Sequence, residues 1–452
     1  MDALFWDTEL PQSLSAWFKG RGWRPRDHQL SVLRATTDGK SVLLTAPTGG
    51  GKTLAGFLPS LCDLIANVGS DDWENRLHTL YLSPLKALAV DVRRNLEEPI
   101  AEMNLPIRVE SRTGDTPQAR RQRQRKSPPH MLLTTPEQLA LLLSYRDAGR
   151  YFRHLRYVVI DELHALAPNK RGDLLALGLA RLAALAPSAR QIGLSATVAA
   201  PDQMASFLNC AGPVAVIDGG PGPRPDISVM AAANRVPWSG HMTLHAMADV
   251  YEAIKCQQTT LVFVNTRAQA EVVFNHLWRL NDDGLSIALH HGSLAVEQRR
   301  KVEAAMVRGI LRAVVCTSTL DLGVDWGAVD LVIQVGAPKG LSRLVQRIGR
   351  ANHRLDDPSR AVLVPSNRFE VLECQAAAAA VVEGELDGEV RRQGGLDVLA
   401  QHILGVACGG PFRAADLYEE VCSAAPYNNL DQQTFDQVLD YVMTGGYALR
   451  QY

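Results

Sequence analysis

The sequence predicts an α/β protein: two tandem domains, each built on a parallel sheet, followed by a shorter helical segment. Three observations carry that expectation. Short apolar runs without polar alternation recur along the chain, as strands buried on both faces of a parallel sheet require. Longer stretches with helical periodicity separate them, which is the arrangement of βαβ units. The length, 452 residues, corresponds to about three domains at roughly 150 residues each.

The first set of runs is Ser41–Thr45, Thr79–Ser83, Met131–Thr135, Tyr157–Ile160 and Gln191–Ser195. The second is Thr260–Val264, Ser286–Leu289, Ala313–Thr317, Leu331–Val335 and Ala361–Val364. Between them, Asp218 to Pro225 reads DGGPGPRP, too rich in Gly and Pro for regular structure, and marks a linker. The expected boundaries are 1–217 for the first domain, 218–240 for the linker, 241–385 for the second domain and 386–452 for the last segment. No sequence repeat relates the two halves, so their kinship is architectural. In the last segment Leu396, Leu399 and Ile403 form one apolar helix face, and Phe435, Val438, Leu439 and Val442 another. Both read as core packing. The chain stops soon after Gly445-Gly446-Tyr447, and the segment reads as cut short.

Composition narrows the classes. With 46% hydrophobic residues, 21% charged residues and a formal net charge of −1, the chain is neither a disordered polymer nor a globally basic protein. A local basic groove stays open, because steering depends on where charge sits. The seven cysteines are scattered singly, with no C-x-x-C pair, which suits reduced thiols rather than a disulfide framework or a zinc site. The N-terminus, MDALFWDTELPQ, carries acids where a signal peptide carries lysines. No apolar run approaches the ~18–20 residues needed to span a bilayer. A soluble cytoplasmic protein is expected.

Two elements carry chemistry. The run Ser41–Thr45 leads into Ala46-Pro47-Thr48-Gly49-Gly50-Gly51-Lys52-Thr53, a strand, a glycine-rich loop and a helix start. Glycines let backbone N–H groups converge on a phosphate, and the helix N-terminus adds partial positive charge. Lys52 is placed to reach the β/γ-phosphates and the Thr53 hydroxyl to ligate Mg²⁺. Thr48, Gly49, Gly50 and Gly51 complete the cradle; Ala46 stands where the usual pattern has its first glycine. The second element is Val158-Val159-Ile160-Asp161-Glu162-Leu163-His164, an apolar strand ending in two acids. Asp161 is the expected second Mg²⁺ contact, and Glu162 the base that orients and deprotonates the attacking water. Kinases, transporters and motors share these elements, so ATP alone does not name the function.

Further short strings stand in a telling order. They are Arg24-Pro25-Arg26-Asp27-His28-Gln29, Ser83-Pro84-Leu85-Lys86-Ala87-Leu88, Thr113-Gly114-Asp115, Thr134-Thr135-Pro136-Glu137 and Ser195-Ala196-Thr197 in the first half. The second half supplies Phe263-Val264-Asn265-Thr266-Arg267, His291-Gly292-Ser293, Thr317 to Asp325 (TSTLDLGVD) and Gln346 to His353 (QRIGRANH). Together with the phosphate loop and the acid pair, the chain resembles superfamily-2 DEXH-box helicases over nearly its whole length. It is most similar to the Lhr type, in particular the bacterial ligase-associated branch, on WRPRDHQ, SPLKAL, QRIGRANH followed by Arg354-Leu355-Asp356, and Glu383-Gly384-Glu385-Leu386.

The resemblance implies two RecA-like (P-loop) domains followed by a partial winged-helix domain, and it assigns roles. Gln29 matches the glutamine that reads the adenine edge. Trp23 is open to two readings, base stacking or the core, the latter being the commoner place for a tryptophan. Gln346 and Arg350 match the last motif, with Arg350 as the arginine finger and Arg347 as a further nucleotide contact; His353 stands where that motif often has arginine. Gly323 and Asp325 should line the nucleotide cleft, and the SAT segment should sense closure. Lys86, Thr135, Asn265, Thr266, Arg267, Ser293 and Thr317 match positions that grip a single strand. The basic run Arg120 to Lys126 has two readings, a phosphate-tracking face or a solvated helix face, and the second is the commoner. The implied activity is ATP- and Mg²⁺-dependent, stimulated by nucleic acid, moving 3′→5′ on single-stranded DNA and unwinding DNA or RNA–DNA duplexes in repair. A monomer is expected, with DNA repair proteins such as a DNA ligase as partners and no membrane. An RNA helicase shares every motif, because backbone grip does not encode the sugar. A duplex translocase, or a truncated nucleic-acid-binding ATPase that separates no strands, is also open.

Overall fold

The computed structural model describes residues 6–47, 49–69, 73, 76–84, 92, 96–196, 198–208, 212–220, 222–240, 242–321, 329–351, 358–385, 387 and 393–446. Thr48, Lys86, Gly323, Asp325 and His353 lie outside the described residues. The chain divides into two compact units: Met1–Ala46 with Gly51–Gly219 and Glu389–Tyr452, and Pro47–Gly50 with Gly220–Gly388.

The first unit is built on a seven-stranded sheet. Its strands are β1 (Ser41–Thr45), β2 (Thr79–Leu82), β3 (Val109–Arg112), β4 (Met131–Thr134), β5 (Tyr157–Ile160), β6 (Arg190–Ser195) and β7 (Val214–Asp218). They lie in the order β3-β4-β2-β5-β6-β1-β7, and every pairing is parallel. β1, β2 and β4 are buried at every position, which is why they read as unbroken apolar runs. β3 and β7 were not legible in the sequence. They are the two edge strands: β3 reads Val-Glu-Ser-Arg, mostly half-buried and without an apolar run, whereas β7 reads Val-Ala-Val-Ile-Asp and lies directly before the Gly/Pro-rich stretch.

The second unit carries β8 (Asp226–Val229), β9 (Thr260–Phe263), β10 (Ile287–His290), β11 (Ala313–Cys316), β12 (Leu331–Val335) and β13 (Arg360–Val364). Their order is β10-β11-β9-β12-β13-β8, again wholly parallel. β8 corrects the expected linker: residues 226–229 fall inside the span 218–240 but pair with β13 as an edge strand. All ten strands expected from apolar runs are present, within a residue or two of their predicted ends.

The last segment is helical among the described residues: Leu396–Gly409, Ala414–Cys422 and Gln432–Thr444, with a short 3-10 turn at Ala425–Tyr427. Its core is continuous with that of the first sheet. Leu399, Ile403, Leu417, Val421, Tyr427 and Phe435 share one buried cluster with Leu139, Leu175, Leu179 and Phe207. Polar anchors reinforce it: the Gly395 N–H donates to Asp173 at 3.0 Å and Arg181 pairs with Glu420 at 2.8 Å. Leu396, expected in the core, is 47% exposed, while Leu399 and Ile403 are buried. Among the described residues no helix is long and apolar enough to cross a membrane.

Candidate functional site

The sheet order builds the site of the first unit. β5, β6 and β1 are neighbours, so the acid pair after β5, Ser195 and Ala196 after β6, and Gly51 and Lys52 beyond β1 converge at one carboxyl edge. Ligands bind there in open α/β sheets. Within the loop, Gly49 and Gly51 have φ of +78° and +75°, conformations that a side chain resists. The Gly50 N–H closes on Pro47 O at 3.0 Å. The helix Lys52–Ala66 starts directly after Gly51, with Thr53 half-buried in its first turn. Lys52 is buried and its Nζ donates to Ala46 O at 2.7 Å.

Gln29 sits in the first turn of the helix Asp27–Thr37. Its Oε1 accepts from the Arg26 N–H at 2.9 Å and its Nε2 donates to Gly51 O at 3.1 Å. The amide assigned to an adenine edge is thus closed on the phosphate loop, a positioning contact the sequence did not reveal. Trp23 is not core: it is 50% exposed, and the Arg21 guanidinium lies 5.2 Å from its ring centroid.

Asp161 is buried at the end of β5, and its carboxylate accepts from the Tyr81 hydroxyl and from the Glu162 N–H. Burial, with the Glu162 charge beside it, pushes the Asp161 carboxyl up to about 6 against the pull of Tyr81 and Lys52. Tyr81 is itself buried on β2, and its phenol is pushed well above its usual value by burial and the neighbouring acid. Sequence reasoning missed Tyr81; the available signal was an aromatic hydroxyl at the centre of the strand run Thr79–Ser83. Glu162 adopts φ of +51°, a left-handed conformation that is strained for a side-chain-bearing residue.

His164 connects the acid pair to the SAT segment. Its Nδ1 accepts from the Ala196 N–H at 3.1 Å and lies 3.1 Å from the Ser195 hydroxyl. A backbone N–H can only donate, so Nδ1 is unprotonated and the ring proton sits on Nε2. Nε2 lies 3.2 Å from Glu162 Oε2, a contact of a neutral ring with the carboxylate.

A divalent cation fits this edge. A buried carboxylate pushed up to about 6 is short of positive charge, and a cation would supply it. Among the described residues no group of three or more His, Cys, Asp or Glu side chains forms a metal cage. Mg²⁺ takes one or two protein ligands and completes its shell with water and phosphate oxygens. Thr53 and Asp161 would hold it, and it would neutralise developing charge on the phosphates.

In the second unit the helix Leu341–Ile348 carries Gln346, half-buried, and Arg347, fully buried. Arg347 forms two bonds to the Asp321 carboxylate, at 2.8 and 3.3 Å, and lies 4.8 Å over the Phe263 ring. Within the unit its guanidinium is thus held by Asp321 and by the Phe263 ring face. Arg350 is buried, with Nη2 donating to Asp321 O at 3.1 Å. At the carboxyl ends of β9, β10 and β11 stand Asn265, Thr266 and Arg267, then Ser293, then Thr317. Arg267 Nη1 donates to the Ser293 hydroxyl at 2.7 Å, and Thr266 caps the helix Arg267–Arg279 through the Gln269 N–H. Thr135 is buried in the first unit, at the start of the helix Pro136–Leu143. The basic run is the helix Gln118–Lys126, and its charge is largely paired internally. Arg123 meets Glu110 at 2.6 Å, Arg125 meets Asp147 at 2.7 Å, and Arg121 donates to Gly114 O at 2.6 Å.

Three family patterns match: DEAD/DEAH box helicase over residues 26–205, helicase conserved C-terminal domain over 244–354, and the winged-helix domain of large helicase-related protein over 379–452. The chain belongs to the Lhr-type superfamily-2 helicases. An ATP-dependent helicase Lhr-Core protein 2 of Thermococcus barophilus is 37% identical over 97% of this chain and 53% of its own length. An ATP-dependent helicase Lhr-Core of Methanocaldococcus jannaschii is 36% identical over 96% of this chain and 53% of its own. Among solved structures, the Mycobacterium smegmatis helicase Lhr bound to ssDNA and AMP-PNP superposes with a TM-score of 0.85 at 36% identity. That match covers 96% of this chain and 58% of the other. This Lhr-type chain therefore spans about half the length of the curated relatives it matches, and its two parallel sheets are the RecA-like pair, followed by a winged-helix domain.

Proposed function

We propose that the chain is the motor of an ATP-dependent DNA helicase or translocase, moving 3′→5′ on single-stranded DNA and separating DNA or RNA–DNA duplexes, in a repair setting. One observation carries the catalytic half. Gly51 and Lys52, the Asp161–Glu162 pair, and Ser195 with Ala196 stand at the ends of three adjacent strands, and His164 bridges the last two. That arrangement suits phosphoryl transfer to water. Lys52 and the loop amides hold the phosphates, Thr53 and Asp161 hold Mg²⁺, and Glu162 takes the proton from the attacking water. Arg350 is the proposed finger, with Gln346 on the same motif.

The grip is proposed for Thr135, Asn265, Thr266, Arg267, Ser293 and Thr317. Small hydroxyls, an amide and a single guanidinium suit phosphate and sugar contact, which positions a strand without reading its sequence. Support for DNA comes from the Mycobacterium relative, solved with ssDNA; the polarity, the repair setting and a DNA ligase partner rest on the ligase-associated resemblance. The deciding experiment is ATP turnover of the 452-residue chain without nucleic acid, with single-stranded DNA and with single-stranded RNA. DNA-stimulated turnover is expected. Equal rates in all three overturn the motor reading, and preference for RNA turns it into an RNA helicase.

A further inference from the structure

Gln334 stands fourth in β12, in the run Leu331-Val332-Ile333-Gln334-Val335, and is fully buried. β12 lies between β9 and β13, where a parallel sheet ordinarily places valine, leucine or isoleucine. A buried amide costs stability unless its hydrogen bonds are made, and here they are made to two different motifs.

Gln334 Oε1 accepts from Arg347 Nη1 at 2.6 Å. Its Nε2 donates to Val335 O and Gly336 O, both at 3.1 Å, and lies 3.5 Å from Asn265 Oδ1. The acceptor half therefore holds the arginine whose other bonds reach Asp321, the residue that also binds Arg350 through its carbonyl. The donor half holds the turn after β12, against which Asn265 is fastened: Asn265 Nδ2 donates to Ala337 O at 2.8 Å. Clearance is tight. Gly336 has φ of +80°, and a Cβ there would stand 3.1 Å from Asn265 Nδ2. The far side of the turn is tied by the Ala337 N–H to Glu370 at 3.0 Å.

We propose that Gln334 is a positioning residue that couples the nucleotide motif at Arg347 and Arg350 to the strand-gripping loop at Asn265. This rests on the motor reading above, which gives those two motifs their roles. The amide is rigid and planar, with the arginine on one atom and the turn on the other. Displacement of Arg347 with its helix is transmitted through 2.6 Å and 3.1 Å contacts to the loop that presents Asn265. By linkage, a strand that displaces Asn265 acts back on Arg347 to the same degree. Glutamine is suited to this because it offers an acceptor and a donor at one reach.

The substitution Gln334→Glu separates the halves. Glutamate still accepts from Arg347, but it has no hydrogen for the two carbonyls and sets a negative oxygen against them. Two ratios are read on the full chain. One is ATP turnover with saturating single-stranded DNA over turnover without it. The other is DNA affinity with AMP-PNP over DNA affinity without it. Both divide out any change in basal turnover. In Gln334→Glu, the stimulation ratio is expected to fall at least five-fold and DNA affinity to become insensitive to AMP-PNP. Val332→Ala, at a buried site on the same strand outside this network, should lower thermal stability and leave both ratios unchanged. If Gln334→Glu does not fold, Gln334→Met gives the same readout through loss of both halves. Stimulation by DNA in the unaltered protein, with the same ratios in Gln334→Glu, overturns the coupling role alone. Loss of coupling in Val332→Ala in proportion to its stability also overturns it, since any strand defect would then suffice. No stimulation in the unaltered protein overturns the motor reading itself.

Discussion

Tyr81 donates its phenolic hydrogen to the carboxylate of Asp161. The two residues end up together because β2 and β5 are paired in parallel, with Leu82 opposite Ile160. The Tyr81 ring stacks on Phe57 with centroids 5.0 Å apart, so its position is set by packing and its hydroxyl is aimed. Tyr81→Phe should keep that packing and leave a buried carboxylate oxygen without its donor. Hydrogen bonds to charged groups contribute about 1.5–3 kcal/mol. Steady-state ATP turnover should therefore fall roughly ten- to a hundred-fold, with ATP affinity changed much less. Unchanged turnover would mean that Asp161 is oriented by other groups.

Asp161 is kept at a cost. A carboxyl whose folded pKa stands above its unfolded value binds its proton more tightly when folded, so at neutral pH, where it is ionised, it lowers stability. The rise from 3.8 to about 6 sets an upper limit of about 3 kcal/mol at 1.36 kcal/mol per pKa unit. Asp161→Asn should abolish hydrolysis and stabilise the fold by about 1–3 kcal/mol at neutral pH in chemical denaturation. A destabilised Asp161→Asn protein would contradict the uncompensated charge.

Glu162 pays for its position in backbone strain, at φ of +51°. Glu162→Ala should abolish turnover while nucleic-acid binding survives. Glu162→Gly should be equally inactive but more stable than Glu162→Ala by about 1 kcal/mol, because glycine adopts the left-handed region freely. Equal melting temperatures for the two variants would remove the strain.

Gln29 and Gly51 should behave as one unit. A Cβ on Gly51 would stand 2.8 Å from Gln29 Nε2, at a φ of +75°. Gly51→Ala should lose about 1–3 kcal/mol of stability and weaken ATP binding. Adding Gln29→Ala relieves the clash but not the strain. The double variant should therefore be more stable than the two single losses add up to, and strict additivity would show that the residues do not meet.

The joint between the last segment and the first sheet should respond to acid. Burial raises the Glu420 carboxyl, but Arg181, hydrogen-bonded to it at 2.8 Å, and His402, 3.7 Å away, outweigh it and hold the group below its usual value. A depressed carboxyl contributes stability above its unfolded value of 4.5 and loses that contribution as pH falls toward its folded value. Arg181→Met should be destabilised at pH 7, and its stability difference from the unaltered protein should shrink as pH drops below about 4.5. A difference that stays constant with pH would show that the pair carries no net charge coupling.

The parts legible in the sequence were those whose physics is local. Interior strands such as β1, β4 and β9 are buried along their whole length and must be apolar throughout. The edge strands β3 (Val-Glu-Ser-Arg) and β8 (Asp-Ile-Ser-Val) are free of that demand and went unseen, while β10, also at an edge, was legible through its apolar residues Ile287–Leu289. The glycine loop and the acid pair were visible because each is a contiguous string with one chemical task. Tyr81 and Gln334 were not, because each is one residue within a strand run and its partner lies on another strand or helix.

The order of motifs along the chain determined its membership of the Lhr-type helicases, and its apolar runs determined the two parallel sheets. Tertiary structure decided what the side chains do with one another. It turned Gln29 onto the phosphate loop, buried the Arg347 charge against Asp321, and joined the last helices to the core of the first sheet. Pairing between strands and packing between helices are contacts across long separations of sequence. A periodicity shows which face of an element must be covered; only the folded chain shows which residue covers it.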